Sequence, residues 1–226
     1  MAKAIPATIL RGERKNLEIR VGSDERVVVR APHGTSEKFI QQVLMKKLLW
    51  IKEKQHLVRI EKAKYRPKKF VEGEGFLYLG RFYKLHLHDS LEVPLVFRHN
   101  SFSMLRNVDD NAGKLFLDWY IARAERKIGE RAKLQAKRIG LQFNSLSITK
   151  AEKRWGSCNP QAKTLNFTWR LVMAPIEVID YIVVHELCHL EHANHSTDFW
   201  AKVESIVPDY WVAEKWLDEN QTRMVL

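Results

Sequence analysis

The sequence predicts an α+β fold, in which strands and helices follow one another without regular alternation. Short segments that alternate between apolar and polar residues indicate strands, and longer segments with apolar residues at helical spacing indicate helices. Of the 226 residues, 45% are hydrophobic, 10% aromatic and 29% charged, which is unlike the composition of disordered proteins. A chain of this length can bury a sizeable core, in one large domain or two small ones.

Residues 1–110 are expected to form a β-rich N-terminal part with a helical insertion at about residues 36–61. Residues 17–21 alternate between apolar and polar side chains, and residues 27–29 resume the strand after a turn, as in a hairpin. Apolar residues then recur at helical spacing, with lysines on the other faces of the helix. Four further strands are expected at residues 76–79, 82–88, 93–97 and 101–106.

Residues 111–226 are expected to form the second part, which can also be continuous with the first. It begins with a long helix at about residues 113–139, where apolar residues line one side and arginines and lysines the others. Gly140 can end this helix, because glycine adopts the left-handed conformation that is common after helices. Pro175 suits the first turn of a later helix, whose residues 178–190 are the most apolar in the chain. Strands between the two helices are expected near residues 146–149 and 164–169.

The charge of the chain is strongly basic, with 38 lysines and arginines against 27 acidic residues and a net charge of +11. Residues 1–154 hold 33 basic and 17 acidic side chains, whereas residues 155–226 hold 5 and 10. A surplus of this size favours a polyanionic partner such as nucleic acid, nucleotide or an acidic membrane face, and a nucleic acid would contact the basic region 1–154, which includes the long helix. The alternative is an ordinary solvated surface, on which lysines are common.

Several classes of protein are excluded by simple features of the sequence. No segment approaches the roughly 18 consecutive apolar residues of a membrane span, and the N-terminus lacks the apolar core of a secretory signal. Two cysteines, Cys158 and Cys188, cannot build a disulfide framework, and free thiols fit a reducing compartment. We therefore expect a cytoplasmic protein that does not contact a membrane.

The sequence H-E-x-x-H occupies positions 185–189, inside the most apolar predicted helix. His185 and His189 are four residues apart, so both imidazoles face the same side and can bind a single Zn²⁺. Glu186 lies beside them, where its carboxylate can take a proton from a metal-bound water as that water attacks a substrate. The pattern therefore predicts a hydrolase with one Zn²⁺ per chain, or with another divalent ion in its place.

A catalytic zinc site needs a third protein ligand. On a continuing helix His192 would lie about 10 Å from His185 along the axis, which is too far for both to bind one ion together with the histidine between them. We therefore favour His195, which the chain reaches after a turn, and the pattern becomes H-E-x-x-H-x5-H. Two glutamates farther along the chain, Glu204 and Glu214, are the remaining alternatives.

The short segment Arg154, Trp155, Gly156 and Ser157 has two interpretations. It can form a substrate-binding rim beside the metal, since enzymes of this kind often hold an extended peptide against a strand. It can equally be a tight Gly-Ser turn that a buried tryptophan anchors. Donors that could stabilise an oxyanion are Arg154, His192 and Tyr210. Cys158 is expected to pack in the core rather than to bind the metal.

Motifs spread over nearly the whole chain form a combination far more specific than H-E-x-x-H alone. They are V-R-A-P at 29–32, W-I at 50–51, Y-L-G-R at 78–81, R-W-G-S-C at 154–158, L-N-F-T-W-R-L at 165–171, A-P at 174–175, Y-I-V-V-H-E-L-C-H at 181–189, N-H-S at 194–196, F-W at 199–200 and P-D-Y at 208–210. This combination resembles the YgjP-like family of metal-dependent hydrolases, which is related to the SprT-like proteases.

The resemblance implies a zincin-like catalytic region within residues 111–226, with His185, His189 and His195 as metal ligands and Glu186 as the base. It leaves the substrate open. A metallopeptidase cleaving peptides is favoured, and the alternatives are a pyrophosphohydrolase acting on nucleoside triphosphates such as UTP and an SprT-like protease acting on proteins attached to DNA. The sequence has no Gly-rich phosphate-binding loop that would support the nucleotide hydrolase. A protein that only binds nucleic acid would leave Glu186 without a role.

Overall fold

The computed structural model describes residues 5–13, 16–22, 25–64, 67–108 and 111–226. It has mixed helices and small sheets, which confirms the predicted α+β class. Contacts group the chain into two compact units, Met1–Arg66 and Pro67–Leu226. The boundary expected after residue 110 falls inside the second unit, next to two residues outside the described ranges, and a division there stays a prediction. Within the described ranges, no helix has the length and apolar character that a membrane crossing requires.

The first unit is a three-stranded sheet followed by two helices. The central strand pairs in parallel with the first strand and antiparallel with the second, which is the hairpin that the alternating pattern predicts. The helical insertion is interrupted at Lys47, so it forms two helices instead of one continuous stripe. In order, the elements are β1 (Thr8–Gly12), β2 (Glu18–Val21), β3 (Val27–Pro32), α1 (Glu37–Lys46) and α2 (Leu48–Lys64).

The second unit begins with a four-stranded sheet, in which the strands lie in the order β4, β5, β7, β6. A cluster of aromatic rings packs this sheet against the long helix that follows, and the rings of Phe76 and Phe116 stack with centroids 4.0 Å apart. The Tyr120 hydroxyl, which is buried in the same cluster, donates a hydrogen bond to the Leu77 carbonyl. The elements are β4 (Gly75–Tyr78), β5 (Arg81–His88), β6 (Leu95–Arg98), β7 (Ser101–Leu105) and α3 (Ala112–Ile139).

A second, three-stranded sheet lies in the same unit, and three helices complete it. Its central strand pairs in parallel with β8 and antiparallel with β9, so β9 is an edge strand. The predicted strand end at Trp169 is instead the start of a short 3-10 helix. The elements are β8 (Ser145–Thr149), β9 (Gly156–Asn159), β10 (Thr164–Thr168), α4 (Ile176–Cys188), α5 (Thr197–Ile206) and α6 (Tyr210–Asn220).

Helix α4 is held in the centre of the second unit by its apolar length and by one ion pair. Most of its side chains are buried, which agrees with its being the most apolar helix of the sequence. Arg131 on α3 forms a bidentate pair with Asp180 on α4, with Nε 2.6 Å from Oδ1. Because both side chains are largely shielded from solvent, the pair fixes the relative position of the two helices. The position of the C-terminal end of α4 relative to α3 is fixed in this way.

Candidate metal centre

Three histidines meet at the C-terminal end of α4. His185 lies in the last turn of the helix, His189 follows it directly, and His195 lies in the loop before α5. One ring nitrogen from each lies within 4.8 Å of the others, and the Nε2 atoms of His185 and His195 are 3.0 Å apart. Two nitrogen ligands on a tetrahedral zinc, with bonds of about 2.1 Å, are about 3.4 Å apart. The cluster therefore has the dimensions of a metal site.

The loop between α4 and α5 turns the chain back towards the helix. The backbone N–H groups of Glu191 and His192 both donate to the Cys188 carbonyl, which ends the helix in a tight turn. Ser196 then caps α5 by accepting a hydrogen bond from the Phe199 N–H, so His195 lies directly before the cap. The return of the chain, which the third-ligand argument requires, is thus built by hydrogen bonds at both ends of the loop.

The other candidates for the third ligand have different positions. His192 contributes its backbone, since its carbonyl accepts a hydrogen bond of 2.9 Å from Nδ1 of His189. Glu214 accepts a hydrogen bond of 2.7 Å from the Tyr181 hydroxyl. In the part of the chain that the structure describes, neither the His192 ring nor Glu204 nor Glu214 belongs to the histidine cluster.

The electrostatics of the cluster suit neutral imidazoles. Burial, together with the neighbouring His189 and His195, lowers the pKa of His185 to about 4. The pKa of His189 is also lowered by burial. Nδ1 of His185 is buried and has no hydrogen-bond partner among the described residues, whereas its Nε2 faces the other two rings. At neutral pH the His185 and His189 rings are in the neutral form that binds a metal, so the residues present fit a divalent ion.

Glu186 lies next to the cluster, with only 6% of its surface exposed. Burial raises the pKa of its carboxyl group to about 7, and the positive charge of Arg154 opposes this shift. A proton acceptor works best when its pKa lies near the operating pH. The environment of Glu186 therefore favours proton transfer near neutral pH.

Gly156, the first residue of β9, is in close contact with Glu186. A Cβ atom at this position would lie 2.6 Å from both Cγ and Oε1 of the glutamate, a distance that real Cβ atoms do not reach. The sequence suggested a turn or a substrate rim for this glycine, and the structure adds a third reason for it, because only glycine lets the strand approach the carboxylate. The start of the edge strand β9 is thus placed directly beside Glu186.

Replacing Gly156 with alanine is expected to displace the Glu186 side chain and to lower kcat/KM for hydrolysis roughly 100-fold, the cost of a misplacement of about 1 Å. Metal content should stay at the wild-type level, because the three atoms nearest to the new methyl group all belong to the glutamate. Gly129→Ala in α3 is the matched control, since a Cβ there meets nothing within 4 Å. Wild-type kcat/KM in Gly156→Ala would show that the contact is unimportant for catalysis.

The other residues of the predicted rim lie around Gly156. Arg154 is exposed and its charge acts on Glu186, and the Ser157 hydroxyl accepts a weak hydrogen bond of 3.5 Å from Asn166. The Trp155 ring lies 5.1 Å from the Arg170 guanidinium, which stacks over it. A substrate-binding role for Arg154, Trp155, Gly156 and Ser157 stays a prediction.

Arg170 ties the rim to the last residues of the chain. Its guanidinium donates three hydrogen bonds to backbone carbonyls. They run from Nε to Met224 at 2.7 Å, from Nη2 to Gln221 at 3.0 Å and from Nη1 to Glu152 at 3.0 Å. Met224 is fully buried. Trp155 therefore rests on a cation that is itself held by three backbone acceptors.

Neither cysteine belongs to the histidine cluster within the described ranges. Cys188 is buried in the core, and Cys158 is partly buried on β9. Burial raises the pKa of each thiol to about 11. Both cysteines are therefore uncharged thiols at neutral pH, in keeping with a packing role.

The aromatic surroundings of the cluster were missed by the sequence analysis. Trp200 lies in α5, Tyr210 begins α6, and their rings stack with centroids 5.2 Å apart. The Trp200 ring also stacks on His195, at 5.7 Å. The motifs F-W and P-D-Y mark these positions in the sequence, but local spacing does not reveal that they meet at the histidine cluster.

Comparison with known proteins gives one family and a weak structural similarity. The family model described as YgjP-like, metallopeptidase domain, matches residues 15–220. No curated protein sequence matches the chain. Among solved structures, the crystal structure of the metallopeptidase zymogen of Pyrococcus abyssi abylysin is 23% identical, with a TM-score of 0.37, and the match covers 42% of this chain and 93% of that one. A structural similarity with so low a TM-score carries no argument about function.

Proposed function

Because the chain belongs to the YgjP-like family, whose metallopeptidase domain model matches residues 15–220, we propose that it is a zinc-dependent peptidase. One observation carries this proposal: three histidine nitrogens lie within 4.8 Å of one another, beside a buried carboxylate whose pKa is about 7. His185, His189 and His195 would hold the ion. Bound there, zinc would act as a Lewis acid that polarises the substrate carbonyl and makes water a better nucleophile at neutral pH.

Glu186 would carry out the proton transfers of peptide cleavage. Its carboxylate accepts a proton from the attacking water as the new C–O bond forms. It then delivers this proton to the amine nitrogen as the C–N bond breaks, so that no proton is gained or lost overall. Burial raises the pKa of this carboxyl group above that of an exposed glutamate, which strengthens it as the proton acceptor. Arg154, whose charge acts on this carboxylate, remains a candidate for stabilising the oxyanion, with His192 and Tyr210.

Two features favour a peptide over a nucleotide as the substrate. The outer edge of β9 is not paired with another strand of the described sheet, and this strand begins at Gly156 beside Glu186. An extended peptide can add to such an edge through backbone hydrogen bonds, which would place its carbonyl near the histidines. Residues 155–226 hold 5 basic and 10 acidic side chains, a balance that disfavours binding of a triphosphate.

Nucleic acid is the proposed partner of the basic region 1–154, and this contact would make the enzyme a DNA-associated protease of the SprT-like kind. The 33 basic side chains of this region support it. Binding that depends on phosphate contacts weakens steeply with salt. Stimulation by DNA that disappears at high salt would therefore support this more specific function.

The substrate is tested by incubating the purified chain with casein and, separately, with UTP, each with and without a metal chelator. We expect casein cleavage that the chelator abolishes and that added Zn²⁺ restores. DNA in a parallel casein reaction is expected to accelerate cleavage. Chelator-sensitive release of pyrophosphate from UTP without cleavage of casein would reject the peptidase in favour of the nucleotide hydrolase. Cleavage that resists the chelator would reject the metal mechanism.

A further inference from the structure

Four rings stack in a column that starts at the third candidate ligand. Trp200 lies on His195 with ring centroids 5.7 Å apart and planes at 24°, and Tyr210 lies on Trp200 at 5.2 Å and 24°. Tyr181 lies on Tyr210 at 6.0 Å and 21°. We call His195, Trp200, Tyr210 and Tyr181 the aromatic column. Its members come from the loop before α5, from α5, from α6 and from α4, so it joins the helices around the cluster.

The aromatic column fixes the orientation of the His195 ring, which hydrogen bonds do at other metal-binding histidines. Such a histidine usually donates its second ring N–H to an oxygen, which fixes the orientation of the ring. His189 follows this rule, because its Nδ1 donates to the His192 carbonyl at 2.9 Å. His195 is exposed, and the hydrogen-bond contact that the described residues give its ring is the one between its Nε2 and Nε2 of His185. Its plane is instead set by Trp200 on one face and by the edge contact with Phe199 at 4.8 Å.

The other end of the column is anchored by a partly buried hydrogen bond. The Tyr181 hydroxyl donates to Oε1 of Glu214 at 2.7 Å, and only 3% of the Tyr181 surface is exposed. Burial and the adjacent carboxylate raise the pKa of this hydroxyl above its usual value, so it stays protonated as the donor. The Phe199 ring also packs edge-on against Trp200, at 5.2 Å and 88°. Trp200 is therefore confined on both faces and at one edge.

We propose that Trp200 is a positioning residue for His195, and that the aromatic column holds this imidazole in the orientation that metal binding requires. The inference rests on the proposed metal site and extends it, because none of the column residues beyond His195 is a ligand. It explains how an exposed loop histidine can be preorganised without an oxygen acceptor. It also assigns a role to the Tyr181–Glu214 pair, which closes the column at its other end.

The test measures zinc affinity and ligand geometry in Trp200→Leu by competition with a chromophoric chelator and by the visible spectrum of the Co²⁺-substituted protein. We expect zinc binding roughly 10–100-fold weaker, as for the loss of other outer-shell partners of metal ligands. The Co²⁺ spectrum should change as well, because the third nitrogen no longer approaches at a fixed angle. A purely structural tryptophan would lower the melting temperature of the metal-free protein but would leave the Co²⁺ spectrum unchanged.

Two further variants keep the test decisive. Trp211→Leu removes the neighbouring tryptophan of α6, which is 59% exposed, and is expected to keep wild-type affinity and spectrum. Trp200→Phe retains an aromatic face, so it should recover most of the affinity. If Trp200→Leu does not fold, Trp200→Met, which also lacks an aromatic ring, takes its place with the same expected loss. Wild-type affinity and spectrum in the variant without the ring would overturn the positioning role alone. Failure of the wild-type chain to bind Zn²⁺ would overturn the proposed metal site together with this inference.

Discussion

Glu186→Gln is expected to lower hydrolysis roughly 10²–10⁴-fold, the range for loss of a general base, while the metal stays bound. The amide has nearly the shape of the carboxyl group, but it cannot accept a proton from water at neutral pH. The three histidines are unchanged, and the substituted side chain still fits against Gly156, where the space is limited. Initial rates at several substrate concentrations give kcat/KM, and elemental analysis of the same sample gives zinc per chain.

The matched control for this substitution is Glu177→Gln, which makes the same chemical change in the first turn of the same helix. Glu177 is exposed and lies far along α4 from the histidines, so activity and zinc content should both be unaffected. Full activity in Glu186→Gln with zinc present would exclude this residue as the base. Loss of activity together with loss of zinc would instead assign it a part in holding the ion.

His195→Ala is expected to weaken zinc binding by more than the roughly 100-fold that the loss of a residue supporting a ligand costs, because one of the three proposed protein ligands is removed. His192→Ala should retain the wild-type affinity. This residue acts on the site through its backbone carbonyl, which accepts the hydrogen bond from His189 and is kept in alanine. Competition with a chelator of known affinity measures both dissociation constants.

The pair of variants separates two histidines that are only three positions apart in the sequence. Weak binding in His192→Ala with normal binding in His195→Ala would reverse the assignment of the third ligand. Glu214→Gln provides a second comparison, since this carboxylate accepts the Tyr181 hydroxyl and is not a member of the histidine cluster. A loss of zinc in that variant as severe as in His195→Ala would point to the glutamate as the ligand.

Local periodicity predicted the parts of this protein that depend on one element at a time. The long helix expected at residues 113–139 spans Ala112–Ile139, and Gly140 follows it with a φ of 73°, the left-handed conformation expected for it. The placing of His185 beside His189 follows from a spacing of four residues in an apolar helix. The short distance between ligands of a single ion was enough to favour His195 over His192. In the structure His195 lies close to His185 and His189.

The remaining features depend on contacts between elements that are far apart in the sequence. The approach of Gly156 to Glu186 needs the edge strand and α4 to pack together, and no pattern within either segment encodes it. The stacking of Trp200 between His195 and Tyr210 likewise depends on the angles of α5 and α6. The division of the chain after Arg66 falls in a segment, residues 62–75, that is basic and contains proline and glycine, although hydrophobic patterning gave no reason to prefer it to a boundary after residue 110.

The hydrogen bonds of Arg170 have a practical consequence for anyone who engineers this chain. Two of its three backbone acceptors, the carbonyls of Gln221 and Met224, lie within the last six residues of the sequence. A shortened variant made for crystallisation would release the guanidinium under Trp155 and loosen the strand beside Glu186. The tail, which bears none of the candidate catalytic groups, should therefore be kept through Met224 in any variant intended to be active.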